Sequence, residues 1–480
     1  MRLALREFAE TALTITLGLF LVLTLFRGGN TDTAMLFALV GTPVVLIFAT
    51  FLAVSTRFGT LVESAGALYF TVALLTLMII GLLGLISVST QAWLSLPGRE
   101  FYRNLVAALA QPQFELNQLP LSIDATGTRR ALFALAPCVA IAIAIPMLKR
   151  RSLLRLLGAF VILAAAEALL GLFQLGFRGA STLVLEYAGH NRASGTFVNK
   201  NHYATLLAMA LPLLIFRATG QFSFFSKHNE TSALANAWWG VVTAFVAAAL
   251  VASLSRAGVL AGFIVCALAV VTCPLREHLR SRKVFFAVLA VIVLAVSLAA
   301  MTGLGALLRS LTQGGLSDGA SSRSLMNLHT LTGISTFFPV GAGLGSYAVA
   351  FQRFQSPSLL GFVEYAHNDY LQLLFETGAI GVAILILLAV SAVKAGRNLW
   401  RAYDDRQIRS PALACYFGAL AFAIHACFDF PAHIPSIAII ATLLFSASMN
   451  TALSDKGRRR EFDQTLTGRE VARHEHRGLA

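Results

Sequence analysis

Histidine, amide and carboxylate side chains stand together where a polar segment of this 480-residue chain passes into a long apolar one. His367, Asn368 and Asp369 begin this stretch, and Gln372 and Glu376 follow within the apolar segment. In a helix, residues 369, 372 and 376 share one face. A carboxylate facing lipid would be costly, so we expect this face to turn toward other helices or a wet cavity. Histidine as a residue type, with an unperturbed pKa of about 6.5, can take a proton from a hydroxyl group at neutral pH.

Three other polar segments carry side chains suited to bind an anion. Guanidinium groups hold phosphate oxygens through paired hydrogen bonds and stay charged at any physiological pH. Arginines beside a histidine therefore suit a phosphate-bearing lipid substrate, with arginine stabilising a diphosphate leaving group and histidine activating an acceptor. The residues are Arg192, Asn199, Lys200 and Asn201 before one apolar segment, Arg256 in a tight turn, and Arg323 in the longest loop.

Metal chemistry is not favoured by the sequence. His425, Asp429 and His433 are metal-capable residue types, but their spacing straddles Pro431 and adds no cysteine or second acid. No acidic cluster forms a convincing Mg²⁺ site. We therefore predict no metal and no cofactor, and charge neutralisation falls to the arginines.

The elements that must position these residues are membrane helices. Hydrophobic residues make up 57% of the chain and charged residues only 12%, which is typical of an all-α polytopic membrane protein. The net charge of +14 is best explained by topology and lipid phosphate, and nucleic acid is not an expected partner. Apolar runs predict twelve spans, at 11–26, 34–54, 67–90, 131–148, 153–173, 203–217, 236–254, 257–274, 284–306, 370–393, 411–428 and 434–451.

The distribution of Lys and Arg sets the orientation. Of the 37 such residues, about two thirds fall in segments on the side of the N-terminus, which predicts that both termini are cytoplasmic. Residues 1–454 form the predicted membrane domain and 455–480 a charged cytoplasmic tail. The long loops 91–130 and 307–369 then lie outside, with every candidate site segment. Within 307–369, Leu325 to Ile334 predict an amphipathic surface helix, and the glycine run 341–345 a flexible turn.

Four segments between about 180 and 390 follow the order of a known family. They are Arg192 to Asn201, Ser255-Arg256-Ala257-Gly258, Ser322-Arg323 leading to Gly345, and His367-Asn368-Asp369-Tyr370-Leu371 continuing to Gly381. In these residues the chain resembles the O-antigen ligase and Wzy-type polymerase family of bacterial surface-polysaccharide assembly. Two features depart from the pattern. Ala257 stands where such ligases often carry glycine, and the first 130 residues offer no recognisable signature.

The resemblance implies a GT-C-type glycosyltransferase of the bacterial inner membrane, with a large periplasmic loop. It would act, without metal, on an undecaprenyl-diphosphate-linked glycan at the periplasmic face, with inversion at the anomeric centre. By that likeness His367 matches the family's proposed general base, and Arg256 and Arg323 match arginines proposed to grip the diphosphate. The candidate substrate-binding residues are Arg192, Asn199, Lys200, Asn201, Asn368 and Asp369.

The family includes more than one acceptor. A ligase moves the glycan onto a lipid A core sugar, a polymerase moves it onto another lipid-linked repeat unit, and a third branch modifies proteins. The competing class is a transporter or flippase of lipid-linked oligosaccharide, which should show two similar halves and polar residues at mid-membrane. Here the long loops are asymmetric and the polar residues lie mostly at the outer rim. A non-catalytic scaffold, finally, would not need His367.

Overall fold

A computed structural model describes the chain over residues 2–25, 32–56, 65–109, 117–176, 192–225, 232–272, 315–359, 361–401, 406–450 and 453. These residues form fifteen α-helices and a two-stranded antiparallel sheet. The helices α1 to α15 are Arg2–Thr24, Asp32–Thr56, Ala65–Gly84, Thr90–Leu94, Arg103–Leu109, Ala125–Ala144, Arg150–Gly176, Lys200–Ala218, Ala233–Ala252, Arg256–Thr272, Gly315–Phe337, Tyr347–Ala350, Asp369–Arg401, Arg406–His425 and Pro435–Ser448. The strands are β1, Ser87–Ser89, and β2, Gln118–Pro120, and short 3-10 helices cover Glu100–Tyr102, Ile145–Met147, Phe351–Arg353 and Pro431–His433.

All but one of the predicted spans coincide with helices. The exception, 284–306, lies outside the described residues, as does the 455–480 tail. Within the described residues, seven helices are long and apolar enough to cross a bilayer, namely α1, α2, α3, α6, α7, α9 and α13, while α10, α14 and α15 are shorter apolar helices. The chain is therefore a multi-pass membrane protein. The number of twelve crossings stays a prediction.

Many of these helices present large apolar side chains outward. Ile47, Phe263 and Val271 are 65%, 71% and 82% exposed, a pattern that suits contact with lipid and not with water. Helix α8 is different, because α7, α9, α10 and α14 pack around it. Nearly all of its side chains from His202 to Phe216 are buried. It is the central helix of the bundle.

The two ends of the bundle carry different polar contacts. At the end where α1 begins, Lys149 pairs with Glu10 at 3.2 Å and the Asn450 amide donates to the Ile145 carbonyl at 2.7 Å. Helices α8, α10 and α13 begin at the opposite end. The candidate site residues therefore gather on the side away from the start of the chain.

The predicted span 67–90 is too long at its C-terminal end. Helix α3 ends at Gly84, and residues Ser87–Ser89 form strand β1 instead. Ser87 lies opposite Pro120 in the antiparallel pair with β2. In β1 the backbone N–H and C=O groups bond to β2, so they do not need the partners that a longer α3 would have given them.

Much of the 307–369 loop folds into a small second core. Helix α11 confirms the helix predicted through Leu325 to Ile334, and its Leu328 and Leu331 are 59% and 50% exposed. Its other side packs with α12 and the first part of α13. Buried aromatic side chains fill this core, namely Phe337, Tyr347, Phe351 and Phe375.

Helix α13 is interrupted one turn below the second core. Gly378 has φ +58° and ψ −132°, which breaks the helix inside the predicted span 370–393. The break leaves backbone groups without helical partners, and the loop 339–343 provides them. Ala379 donates to the Pro339 carbonyl at 2.9 Å, and Glu376 accepts at its carbonyl from Gly343 at 2.8 Å.

Candidate active site

His367 forms a hydrogen-bonded pair with Asp429, a residue far away in sequence. Its Nδ1 lies 3.0 Å from Asp429 Oδ1, and its side chain remains 27% exposed. The backbone of His367 has φ +52°, a left-handed conformation that costs a non-glycine residue about 1–2 kcal/mol. The pair places a partly exposed imidazole at a fixed position at the mouth of the bundle.

Asp429 is buried and stays ionised. Burial alone would raise the pKa of its carboxyl group, but the hydrogen bond from His367 and the imidazoles of His202, His367 and His425 lower it to about 2. The Phe430 amide donates to the same Oδ1 at 3.0 Å. A carboxylate bonded to Nδ1 holds the Nδ1–H tautomer of His367, which leaves the lone pair on Nε2 to accept a proton.

Phe430, the residue after Asp429, packs its ring against His367 and two other rings. Its ring meets His367 edge-on at 4.9 Å between centroids and His202 in the same way at 4.8 Å. Tyr365 stacks on it at 4.2 Å with 12° between the planes. The edge-on contact with Phe430 and the hydrogen bond to Asp429 together limit rotation of the His367 imidazole.

Three arginine side chains, from three segments of the chain, lie around Lys200. Burial, followed by the guanidinium groups of Arg192, Arg256 and Arg323, lowers the pKa of Lys200 to about 8. Lys200 Nζ donates to the Leu254 carbonyl at 2.8 Å. Among the described residues, neither Arg192 nor Lys200 forms an ion pair with a carboxylate. A cluster of like charges is unfavourable by itself and is stabilised when an anion binds.

Amide and carboxylate side chains hold the segments that carry these cations. Glu167, on α7, accepts from the Thr196 amide at 2.9 Å and from its hydroxyl at 2.7 Å. Gln174, two turns further along the same face, donates to the Gly195 carbonyl at 2.6 Å. The turn before Arg256 is joined to α8 because Ser255 Oγ donates to Asn201 Oδ1 at 2.8 Å.

The glycine run 341–345 is an ordered loop and not the flexible turn expected. Gly341, Gly343 and Gly345 have φ values of +85°, +110° and +73°, which only glycine adopts without strain. Glu376 accepts from the Gly345 amide at 2.8 Å. Arg99, fully buried, donates to the Leu121 carbonyl at 2.8 Å and lies 3.3 Å from the Ala342 carbonyl. The expectation failed because the partners of the loop come from distant elements.

Residues 241–386 match the family model described as O-Antigen ligase. This part of the chain is similar to an O-antigen ligase domain. The match covers less than a third of the 480 residues and includes Arg256, Arg323 and His367. None of the curated proteins compared with the chain matches it. The domain, in a multi-pass membrane protein, supports a polysaccharide ligase- or polymerase-like role with lipid-linked glycan and acceptor substrates in general.

The site extends beyond the matched O-antigen ligase domain on both sides. Arg192 and Lys200 precede it, and Asp429 and His433 follow it. The fold brings these residues to the same end of the bundle as His367, Arg256 and Arg323. The matched region therefore carries part of the candidate site, and the segment that leads into α8 and the turn after α14 complete it.

Four predicted substrate-binding residues make internal contacts in and beside the matched region. Asn199 caps α8 by accepting from the Asn201 amide at 2.9 Å, and Asn201 accepts from Ser255. Asn368 caps α13 by accepting from the Tyr370 amide at 3.1 Å. Asp369 is buried, and its two oxygens accept from His433 Nδ1 at 2.8 Å and the Ala432 amide at 2.9 Å. These contacts position the segments that carry the cations and the histidine.

Sequence reasoning missed three residues of the site. Asp429 and His433 were noticed only as metal-capable side chains, and Phe430 was not singled out. The described residues contain no group of three His, Cys, Asp or Glu side chains placed to hold a metal ion. Asp429 and His433 instead pair with His367 and Asp369 across the turn between α14 and α15. The sequence did offer a signal. His367 and Asp369 lie two residues apart, and a second acid and histidine, Asp429 and His433, lie four residues apart in the opposite order.

Proposed function

We propose that this protein is a membrane glycosyltransferase that moves a glycan from undecaprenyl diphosphate to a sugar hydroxyl, as an O-antigen ligase or polymerase does. His367 is the general base, and Arg256 and Arg323 bind the diphosphate. The acceptor is a lipid A core sugar or another lipid-linked repeat unit. The reaction builds lipopolysaccharide or another surface polysaccharide.

One observation carries the proposal, namely that the base and the cations meet at a shared residue. Arg323 Nη2 lies 3.9 Å from Asp429 Oδ2, while Asp429 Oδ1 bonds His367. Glycosyl transfer requires a proton acceptor close to a cluster of cations. The base must reach the attacking hydroxyl while cations stabilise the departing diphosphate on the other side of the same carbon.

The bond changes follow from these positions. The acceptor hydroxyl oxygen attacks the anomeric carbon and forms the new glycosidic bond, and its proton passes to His367 Nε2. The bond between the anomeric carbon and the phosphate oxygen breaks, and its electron pair leaves with the lipid diphosphate. Asp429 stabilises the imidazolium that forms. A single displacement of this kind inverts the anomeric centre.

The cations take the part that a metal ion plays in many diphosphate enzymes. Arg256 and Arg323 offer paired N–H groups to the phosphate oxygens, and Arg192 and Lys200 add charge from the α8 side. The side-chain N–H groups of Asn199, Asn201 and Asn368 are further donors for substrate oxygens. Because four cations offset the charge of a diphosphate, we expect transfer to proceed in EDTA.

The proposed location is the bacterial inner membrane, with the site open to the periplasm. The excess of Lys and Arg on the N-terminal side predicts a cytoplasmic N-terminus. The candidate site lies at the end of the bundle opposite the start of α1, which on this orientation is the periplasmic end. Lipid-linked glycans would enter from the surrounding bilayer.

The experiment uses purified full-length protein in detergent with a lipid-linked oligosaccharide donor, with and without a lipid A core acceptor, in EDTA. Release of undecaprenyl diphosphate and the size of the glycan product are measured. Release that needs the core acceptor and adds one glycan would identify a ligase. Release without it, with products of increasing length, would identify a polymerase.

The negative outcomes are equally informative. Transfer that stops in EDTA and returns with Mg²⁺ would reject the metal-free mechanism. Absence of release under all conditions, combined with movement of the lipid-linked donor across proteoliposome bilayers, would reject glycosyl transfer and favour a flippase. A reaction with neither release nor movement would favour a non-catalytic role.

A further inference from the structure

The strained backbone of His367 has to be held from both sides. A left-handed conformation at a histidine persists only where the surrounding contacts leave no relaxed alternative. The pair with Asp429 fixes the ring, but it does not fix the main chain on either side. The residues that flank His367 must therefore be anchored separately.

Both flanks have such an anchor. Before His367, the Ala366 amide donates to Gln372 Oε1 at 3.0 Å. After it, the Asp369 amide donates to the Ala426 carbonyl at 2.9 Å, and the Asp369 carboxylate accepts from Ala432 and His433. The first anchor lies on α13 and the second joins α13 to the turn after α14.

The ring of His433 touches both anchors. Its Nδ1 lies 2.8 Å from Asp369 Oδ1, and its Nε2 lies 2.9 Å from Gln372 Nε2. Since the Gln372 carbonyl oxygen accepts from Ala366, its NH₂ group faces His433 and donates to Nε2. His433 then donates from Nδ1 to Asp369. One neutral imidazole joins the anchor before His367 to the anchor after it.

The two histidine–aspartate pairs are reciprocal. In the first pair the histidine, His367, comes from segment 367–369 and the aspartate from 429–433. In the second pair the aspartate, Asp369, comes from 367–369 and the histidine from 429–433. The two histidines are equally exposed, at 27% each. Their chemistry differs, because both ring nitrogens of His433 are engaged inside the protein, whereas His367 bonds the described residues through Nδ1 only.

We infer that His433 is the positioning residue for the base, locking the His367 backbone through Asp369 and Gln372 in the geometry needed for proton transfer. This inference rests on the proposed glycosyl transfer for its catalytic consequence. The lock itself is a property of the folded protein and can be tested without activity.

The first test compares His433→Ala with wild type in the transfer assay. A displacement of the base by about 1 Å lowers kcat by about 10- to 100-fold. The KM for the lipid-linked donor should stay within about twofold, because the cations are untouched. His433→Asn keeps an N–H donor near the Nδ1 position and should recover part of the rate. His329→Ala, a half-buried histidine on α11 outside the site, is the matched control.

A second measurement separates a positioning role from a basic one. Exogenous imidazole can replace a missing base, so it should restore transfer to His367→Ala. It should not restore His433→Ala, whose base is present but displaced. Recovery of His433→Ala by imidazole, with an unchanged rate in His367→Ala, would make His433 the base and overturn the inference.

The lock can also be observed directly by hydrogen exchange. The backbone amides of the peptide 361–372 should exchange about tenfold faster in His433→Ala than in wild type. In His329→Ala their exchange rate should be unchanged. Unchanged exchange in both variants would reject the lock. If wild type transfers no glycan yet His433→Ala exchanges faster, the lock stands and the proposed function fails. An unchanged kcat with faster exchange would reject the link to catalysis.

Discussion

The candidate site has two halves, which hold their charges in opposite ways. In the basic half, Arg192, Lys200, Arg256 and Arg323 gather like charges, and the pKa of Lys200 falls to about 8 as a result of burial and its neighbours. In the paired half, His367 with Asp429 and His433 with Asp369 match each imidazole to a carboxylate, at 3.0 Å and 2.8 Å. The halves touch where Arg323 approaches Asp429.

The difference indicates where the substrate completes the site. An accumulation of cations within a protein is unfavourable until enough counter-charge arrives, so the basic half suits a bound anion. The paired half is already neutralised, so its contacts serve geometry and proton transfer. Substitutions in the basic half should therefore act on donor binding, and those in the paired half on kcat.

The largest effect is expected from removal of the base. We expect His367→Ala to lower the transfer rate by about 10²–10⁴-fold, because the variant lacks the proposed proton acceptor. Folding should be unaffected, since the side chain is 27% exposed and lies outside the core. Release of undecaprenyl diphosphate measures the rate, with His329→Ala as control. A wild-type rate in His367→Ala would remove the base assignment.

Asp429→Asn should have the next largest effect. The amide keeps the shape of the carboxylate but cannot stabilise the imidazolium, so kcat should fall by about 10²-fold or more. The KM for the donor should change little. Steady-state kinetics over a range of donor concentrations separate the two quantities. A rise in KM with an unchanged kcat would mean that Asp429 acts in donor binding, with the cations of the basic half, and not in proton transfer.

Loss of a single arginine should weaken donor use. Arg256→Ala and Arg323→Ala each remove charge-assisted hydrogen bonds, which predicts a fall in kcat/KM of about 10- to 100-fold. Arg256→Lys and Arg323→Lys should keep only part of the kcat/KM that the alanine variants lose, because lysine lacks the planar pair of donors. The exposed Arg129→Ala is the control at the same end of the bundle. Full recovery by lysine would mean that only charge matters.

The smallest effect concerns the pH dependence of donor binding. As pH rises through about 8, Lys200 loses its proton and its attraction for the diphosphate, so the KM for the donor should rise a few-fold by pH 9. Arginine remains charged over this range. Lys200→Arg should therefore remove the alkaline rise in KM. A rise of the same size in both proteins would show that another group titrates.

The residue types of the site were predictable from local patterns. Arginine and histidine next to predicted spans, all on one side by the charge count, indicated a phosphate-binding face with His367, Arg256 and Arg323. Runs of apolar residues predicted the helices, because crossing a bilayer imposes length and composition on each segment separately. Even the helix of residues 315–337 was indicated by the three-residue spacing of its leucines.

Only the tertiary structure decided which of these residues act together. His367 and Asp429 are 62 residues apart, Gly345 and Glu376 are 31, and Arg99 lies 243 residues from the Ala342 carbonyl that it approaches. Such pairings depend on which helix ends meet after packing, and no local periodicity records them. For the same reason the glycine run appeared flexible, and Asp429 and His433 appeared to be a poor metal site. The sequence determined the helices and the chemistry of their ends, and packing determined which ends became partners.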